Sequence, residues 1–460
     1  MLPSTIFREY DIRGLEKTEL SEKAIFTIAS AYAVMLSKRN INKILIGHDN
    51  RPSSENYYQA AKKALLASGV EILDMGMILT PMLYWALRHY QIDGGIIITA
   101  SHNPLGWNGL KLAYDRTRTL LQKEIIELKD LCDQEASISG EGSLQSLNIL
   151  PAYYADILSR STLHRPLKVV VNTANATSSF FASAIIKSFG CQVVELNTNP
   201  DPTYPHYDPN PAYLPMMEDT GRVVLESKAD LGLAFDADGD RLGVVDEKGK
   251  MLFPDYWAIP MSQMVLRENP GASIIFDVKC SEALLEDIKK HGGNPVMWKT
   301  GHSYIKSKMK ETDSPFAIEQ SGHCYWGPPY YYGFDDALFT ALMFLESISL
   351  TNKSVSQVFV DVPHYVSSPA YHPELPEGDK YKIVGELTEE FKKEGHRVID
   401  INGARVYFEN GWGLVRASSN LPALVLRFEA KTEEGLSDIE KVFRDKLSRF
   451  PQISKDWKTA

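Results

Sequence analysis

Short apolar runs rich in Ile and Val alternate with amphipathic segments along most of the chain, and no other feature restricts its fold as strongly. The runs KILIGHD (43–49), VEILDMG (70–76), GGIIITA (94–100), LKVVVNT (167–173), QVVELN (192–197), LGLAFDA (231–237), ASIIFDV (272–278) and PVMWKT (295–300) have the composition of buried strands. Segments between them, such as ENYYQAAKKALLASG (55–69) and SSFFASAIIKSFG (178–190), carry helical periodicity. The pattern predicts α/β domains with mixed or parallel sheets. It restarts near residues 43, 167 and 272 without a close sequence repeat, so what repeats is architecture. The last hundred residues differ. A Pro-rich stretch (362–378) reads as a linker, followed by helix, strand, strand and helix of a small α+β domain. At roughly 100–150 residues per domain, the 460 residues hold three or four domains. The expected divisions are 1–151, 152–252, 253–360 and 361–460.

The formal charge of −10 argues against bulk nucleic-acid binding and gives no general attraction to anionic membranes. An anionic substrate would need Lys and Arg gathered locally. Cys132, Cys191, Cys280 and Cys324 are scattered without a C-x-x-C pair, which suggests neither zinc nor a disulfide framework. The N-terminus has no apolar core of signal-peptide type, and no run of about 18 apolar residues occurs. A cytoplasmic setting is expected, with no nucleic-acid or membrane partner. No interface patch can be read, so a monomer or weak homodimer is expected.

Five stretches carry chemistry. IIITASHNPLGWNGLK (96–111) ends a strand in Ser101, His102 and Asn103, and Lys111 follows. No G-x-S-x-G elbow surrounds Ser101, so it is not read as a hydrolase nucleophile. LGLAFDADGDRLGVVDEKG (231–249) places Asp236, Asp238 and Asp240 at a strand end, beside Arg241. Three carboxylates this close repel unless a cation sits among them, and Mg²⁺ is the natural one. An EF-hand loop is excluded because its required glycine is Arg241 here and the flanks read as strands. WKTGHSYIK (298–306) sets Lys299, His302 and Lys306 around Gly301 at a helix start, suited to an anion or sugar hydroxyls. AIEQSGHCYW (317–326) holds Glu319, Ser321 and His323; in an extended chain the carboxylate and hydroxyl project together onto neighbouring sugar hydroxyls. RASSNLPALVLRFEA (416–430) supplies Arg416, Ser418, Ser419, Asn420 and Arg427 around a turn, donors suited to phosphate. Arg8 and Arg13 in FREYDIRG, and Arg51 in GHDNRPSS, are either structural or a basic lining for a phosphorylated ligand.

Together these stretches resemble the α-D-phosphohexomutase superfamily, in its bacterial phosphomannomutase/phosphoglucomutase branch, from FREYDIRG to LRFEA. TASHNP is similar to the phosphoserine loop, DADGDR to the metal loop, EQSGH to the sugar loop and RASSNLPALVLRFEA to the phosphate loop. DVKCS, with Lys279, and TGHSYIK, with Gly301, also match the branch. The resemblance implies four domains in a heart shape around a central cleft. It implies Mg²⁺ on Asp236, Asp238, Asp240 and a phosphoryl oxygen carried by Ser101. Hexose 1- and 6-phosphates would interconvert through glucose 1,6-bisphosphate or mannose 1,6-bisphosphate. Arg241, Lys279, Gly301, His302, Glu319, Ser321 and His323 would join the Arg416 loop in binding the sugar phosphate. Proton transfer would fall to Lys111, His302 or His323, with His102 and Arg13 beside the phosphoserine. Three alternatives stay open: a phosphoglucosamine mutase, suggested by Gln320; an Mg²⁺-dependent sugar phosphatase; and a non-catalytic sugar-phosphate binding protein. The last domain is expected to hinge near 362–368.

Overall fold

The computed structural model describes residues 2–419 and 421–457. The predicted strands appear within a residue or two of the expected limits, because β-branched runs bounded by polar turns leave little choice of pairing. They build four sheets. The first runs in the order Ile12–Leu15, Trp107–Asp115, Gly94–Ile98, Lys43–His48, Glu71–Met77, Ser143–Ser146, with Arg118–Thr119 on the second of these. The second runs Met251–Leu252, Leu242–Val245, Leu231–Phe235, Lys168–Asn172, Gln192–Leu196. The third runs Asn294–Trp298, Ser273–Asp277, Phe316–Ile318, Cys324–Trp326, Phe334–Asp335. Each has neighbouring parallel strands extended on one side by antiparallel ones.

The fourth sheet is antiparallel throughout, in the order Val366–Ser367, Leu424–Ala430, Gly411–Ala417, Ala404–Phe408, Arg397–Ile399. It has five strands where two were expected. GARVYFENGWGLVRAS is a hairpin, and the edge strand Arg397–Ile399 is too short to show periodicity. The helices Lys380–Lys393 and Glu433–Leu447 pack against this sheet. Local signals fix several helix starts: Ser21, Ser281, Asp336 and Thr432 each accept a backbone N–H with the side chain.

One apolar core runs through the first three domains. It joins Leu45, Leu83 and Ile97 to Val169, Phe235 and Leu242, and these to Trp257, Phe276 and Phe344. The other face of the first sheet packs on Ile28, Tyr32 and Leu128. The fourth domain has a separate core around Leu387, Phe391, Phe428 and Phe443.

Candidate active site

The same event occurs once in each of the first three sheets. The chain leaves a parallel strand at its carboxyl end, turns, and returns antiparallel alongside. The pairs are Gly94–Ile98 with Trp107–Asp115, Leu231–Phe235 with Leu242–Val245, and Phe316–Ile318 with Cys324–Trp326. Carboxyl ends of parallel strands are where open α/β sheets gather ligands. The three turns carry Ser101, the Asp triad and Glu319. The hairpin between Gly411–Ala417 and Leu424–Ala430 contributes the Arg416 turn. All four border one cleft of about 450 Å³.

Ser101 is buried in a left-handed conformation, φ 49°, which costs a non-glycine residue about 1–2 kcal/mol. Thr99 Oγ1 accepts its N–H at 2.9 Å. Its own hydroxyl donates to Asp236 Oδ2 at 3.0 Å and lies 3.4 Å from His102 Nδ1. The other Asp236 oxygen accepts the N–H groups of Asp240 and Arg241 at 3.0 and 3.1 Å, which curls the metal-type turn around it. Lys111 pairs in register with Ile97 and so rises beneath Ser101. Its ammonium donates to Asp238 Oδ2 at 2.8 Å and Asp240 Oδ2 at 2.5 Å. Thr80 Oγ1 adds a bond to Asp238 Oδ2 at 2.6 Å.

Charge in this cluster is unbalanced. Burial, then Asp240 and Asp238, push the Asp236 carboxyl well above its ordinary range. Burial would raise Asp240 too, but Lys111 and His323 outweigh it and hold Asp240 down at about 2. Burial likewise disfavours the Lys111 ammonium, yet Asp238 and Asp240 hold it well above the usual lysine value. The three carboxylates present oxygens within 4.8 Å of one another. Asp238 Oδ1 and Asp240 Oδ1 are buried without a hydrogen-bond partner. Spare hard oxygens at close range fit a divalent cation of the Mg²⁺ type.

On the facing wall, Glu319 and Ser321 do not lie in an extended chain as expected. Residues 319–322 form a tight turn in which Gly322 N–H donates to the Glu319 carbonyl at 2.9 Å. Glu319 is held by Gly301 N–H and Tyr325 Oη, both at 2.5 Å, and both Glu319 and Ser321 still border the cleft. Gly301 has φ 126°, and a Cβ there would meet the Tyr10 ring at 2.9 Å. His323 donates from Nδ1 to Asp335 Oδ2 at 2.8 Å, so its Nε2 accepts Arg241 Nε–H at 3.0 Å. His302 keeps both ring nitrogens free of hydrogen bonds, with Nε2 3.6 Å from Asp11 Oδ1. Burial pushes the His302 and His102 pKa values down, His102 well below the ordinary value. Lys279 sits 3.3 Å from Asp277 and borders the cleft.

The expected residues Arg13, Ser101, His102, Lys111, Asp240, Arg241, Lys279, Gly301, His302, Glu319, Ser321, His323, Arg416, Ser418 and Ser419 all border the cleft. Asp236 and Asp238 lie directly behind Ser101 and Lys111. Asn420 lies outside the described residues. Arg427 departs from the expectation. It sits three residues along its strand from the turn, about 10 Å away, and pairs with Asp255 at 2.8 Å and the Lys279 carbonyl. It therefore fastens the fourth domain to the third. Arg8 and Arg51 do not border the cleft either. Sequence reading missed Tyr10, Asp11, Thr300 and His372, which do. Asp11 stood inside FREYDIRG between two arginines, which was the available signal. Burial, with Lys279 and Arg416 nearby, pushes His372 down to about 4. Lys380, also missed, donates to the Ser418 carbonyl at 2.7 Å and shapes the phosphate-type turn.

A buried hydroxyl on a carboxylate cluster, facing an arginine-bearing turn across one cleft, is the arrangement of a phosphate-handling enzyme. Residues 4–138, 151–249 and 254–365 match the phosphoglucomutase/phosphomannomutase alpha/beta/alpha domains I, II and III. Residues 374–446 match the C-terminal domain of the same family. Phosphomannomutase/phosphoglucomutase of Pseudomonas aeruginosa is 38% identical over 446 residues, covering 97% of this chain and 96% of that one. Phosphoglucomutase of Neisseria gonorrhoeae is 36% identical, covering 97% and 98%. The crystal structure of a phosphoglucomutase/phosphomannomutase family protein from Burkholderia thailandensis superposes with TM-score 0.90 at 34% identity, covering 98% of each chain. This chain belongs to the phosphoglucomutase/phosphomannomutase family. No helix among the described residues is long and apolar enough to cross a membrane.

Proposed function

We propose that the enzyme interconverts hexose 1-phosphates and hexose 6-phosphates of mannose, glucose or both, using Ser101 as a phosphoryl carrier. The observation that carries this is the position of Ser101 Oγ, 3.0 Å from Asp236 Oδ2, across the cleft from the Arg416 turn. In the resting enzyme Ser101 bears the phosphoryl group. A hexose 1-phosphate docks its phosphate on Arg416, Ser418 and Ser419, while Glu319 and Ser321 hold ring hydroxyls. The sugar O6 attacks, the Ser101 O–P bond breaks, and the O6–P bond forms, giving the 1,6-bisphosphate. The O6 proton passes to the unprotonated ring nitrogen of His302, neither of whose nitrogens is engaged in a hydrogen bond, whereas the His323 lone pair is taken by Arg241 and Lys111 is ion-paired. The bisphosphate turns over; Ser101 Oγ attacks its 1-phosphoryl, the Oγ–P bond forms as the O1–P bond breaks, and His302 gives its proton to the sugar O1, releasing the hexose 6-phosphate. Mg²⁺ held by Asp236, Asp238 and Asp240 would supply neutralisation of phosphoryl charge during transfer. Arg241 and Lys279 add fixed positive charge to the wall.

The hexose bisphosphate is thus both intermediate and activator. Division of the chain near 151, 252 and 361 belongs to this reading, as do a cytoplasmic setting and a monomer or weak homodimer. It is tested by coupled kinetics with Mg²⁺ and a trace of glucose 1,6-bisphosphate, comparing kcat/KM for mannose 1-phosphate, glucose 1-phosphate and glucosamine 1-phosphate. Comparable values for the first two and little for the third are expected. A clear preference for the amino sugar would transfer the assignment to a phosphoglucosamine mutase, a second reading favoured by Gln320 in the cleft wall. Release of free phosphate without isomerisation would mean a sugar phosphatase, and neither activity a binding protein.

A further inference from the structure

We propose that Arg51 is the positioning residue that holds the Ser101 loop in its working shape. The kinetic part of this inference rests on the reading above; the structural part stands without it. The Arg51 side chain is fully buried and touches the loop from behind. Its Nη2 donates to the carbonyls of Ser101 at 2.5 Å and Asn103 at 2.6 Å. Its Nη1 donates to the carbonyls of Pro104 at 3.1 Å and Trp107 at 3.2 Å. All four Nη hydrogens are thereby spent on one loop. Four carbonyl dipoles aimed at a single point repel one another, and the loop cannot adopt this concave path without a cation at its focus. Only a planar, permanently charged fork with five donors meets four carbonyls at once; an ammonium has three donors in a tetrahedral arrangement.

Arg51 is itself fixed. Asp49 Oδ1 accepts its backbone N–H at 3.0 Å, and Asp49 Oδ2 lies 3.3 Å from its Nε. The Tyr204 ring of the second domain lies 5.6 Å from the guanidinium. Arg51 follows three residues after the strand Lys43–His48, which runs parallel beside Gly94–Ile98, whose end launches the Ser101 loop. The rigid sheet therefore sets the distance between clamp and loop. Ser101 stays at φ 49° with Oγ on Asp236 because its carbonyl, and those after it, are tied inward. Released, the chain would return to a commoner backbone conformation and swing the hydroxyl off the carboxylate cluster.

The test uses the full-length enzyme and Arg51→Lys. Hydrogen exchange of the amides of residues 101–107 should speed up at least about tenfold, with residues 231–245 and 411–430 unchanged. kcat and the rate of phosphoryl uptake by Ser101 from glucose 1,6-bisphosphate should fall about 100-fold, the cost of misplacing a reacting group by about 1 Å. KM should stay within about threefold. Guanidinium ion at tens of millimolar should restore Arg51→Ala at least about tenfold. Wild-type exchange and kcat in Arg51→Lys, or a loss falling wholly on KM, overturns the proposal. If neither variant folds, the wild type decides: fast exchange of 101–107, compared with the flanking strands, overturns it, and protection supports it. An inactive wild type would sink the mutase reading, while the exchange data still judge the clamp.

Discussion

The first three domains share one apolar core, whereas the fourth keeps its own and meets the third mainly through buried polar ties. Leu83, Phe235, Trp257 and Phe344 belong to one continuous cluster. Among the described residues, the apolar cluster at the seam to the fourth domain is a small one of Val278, Trp412 and Leu414, with Met297, Ile401 and Tyr407 packed against it. Buried polar ties across it include Arg427 on Asp255, Arg405 on the carbonyls of Val278 and Cys280 at 2.7 Å each, and Glu429 accepting Glu282 N–H at 2.9 Å. Apolar burial is non-directional and tolerates no separation without loss, while a few hydrogen bonds can exchange with water. The fused block carries Ser101 and the Asp triad; the domain with its own core carries the Arg416 turn, which in the proposed reaction releases and recaptures phosphate. Two kinds of interface suit the proposed division between a rigid reaction centre and a movable phosphate grip.

The most damaging change to this arrangement is Arg427→Ala, which strands the buried Asp255 carboxylate at the seam. Removing one partner of such a pair costs about 3–5 kcal/mol. Calorimetry should show the fourth domain melting ahead of the block; a single unshifted transition would mean the seam is not held this way. Arg416→Ala acts on the grip and not on the seam. Loss of a charged hydrogen bond of about 1.5–3 kcal/mol should raise KM by roughly 10- to 150-fold. A kcat loss with KM unchanged would place Arg416 in the chemistry instead.

Within the block, Asp336 links Tyr153 and Tyr331 at 2.9 and 3.0 Å and caps the helix Ala337–Ser349. Burial pushes its carboxyl from 3.8 up to about 6, despite bonds from Phe339 N–H and the two tyrosines, and Asp335 adds to the rise. The native state therefore binds this proton more tightly than the unfolded chain. That contribution to stability is complete below pH 3.8 and is lost as pH rises through about 6. Asp336→Asn removes the titrating group and keeps the cap, with an amide NH2 in place of the oxygen that accepts from the two tyrosines. Melting curves of wild type and variant should converge or cross as pH rises over this window, and a constant difference would contradict the assignment. The smallest effect is expected at an exposed contact between the first and fourth domains, where Tyr381 Oη donates to Glu9 at 2.9 Å. Tyr381→Phe should shift scattering slightly toward a larger radius, with turnover changed less than about threefold. A compact, unchanged profile with and without sugar phosphate would argue against hinging near 362–368.

The four site turns were legible because each sits where a strongly patterned strand ends, and DADGDR and TASHNP are unusual there on chemical grounds alone. Arginines were not legible. Arg416, Arg51 and Arg427 all follow or occupy strands and look alike in sequence. One faces the cleft, one ties a loop from behind and one closes a domain seam, because tertiary neighbours decide what a long flexible cation meets. Asp11 and His372 escaped notice as single residues in irregular chain. In the fourth domain the Asn410–Gly411 dipeptide is an ordinary hairpin signal that divides one apparent strand into two.

The decisive measurement is the location of phosphoryl after incubation with glucose 1,6-bisphosphate, read by peptide mass in wild type and Ser101→Ala, followed by a chase with hexose phosphate. Phosphoryl on Ser101 alone, transferred to sugar in the chase, and a turnover loss on the order of 10⁴-fold or more in Ser101→Ala are predicted. Phosphoryl on another residue, or its loss to water with none reaching the sugar, would contradict a resident phosphoserine at the centre of the site.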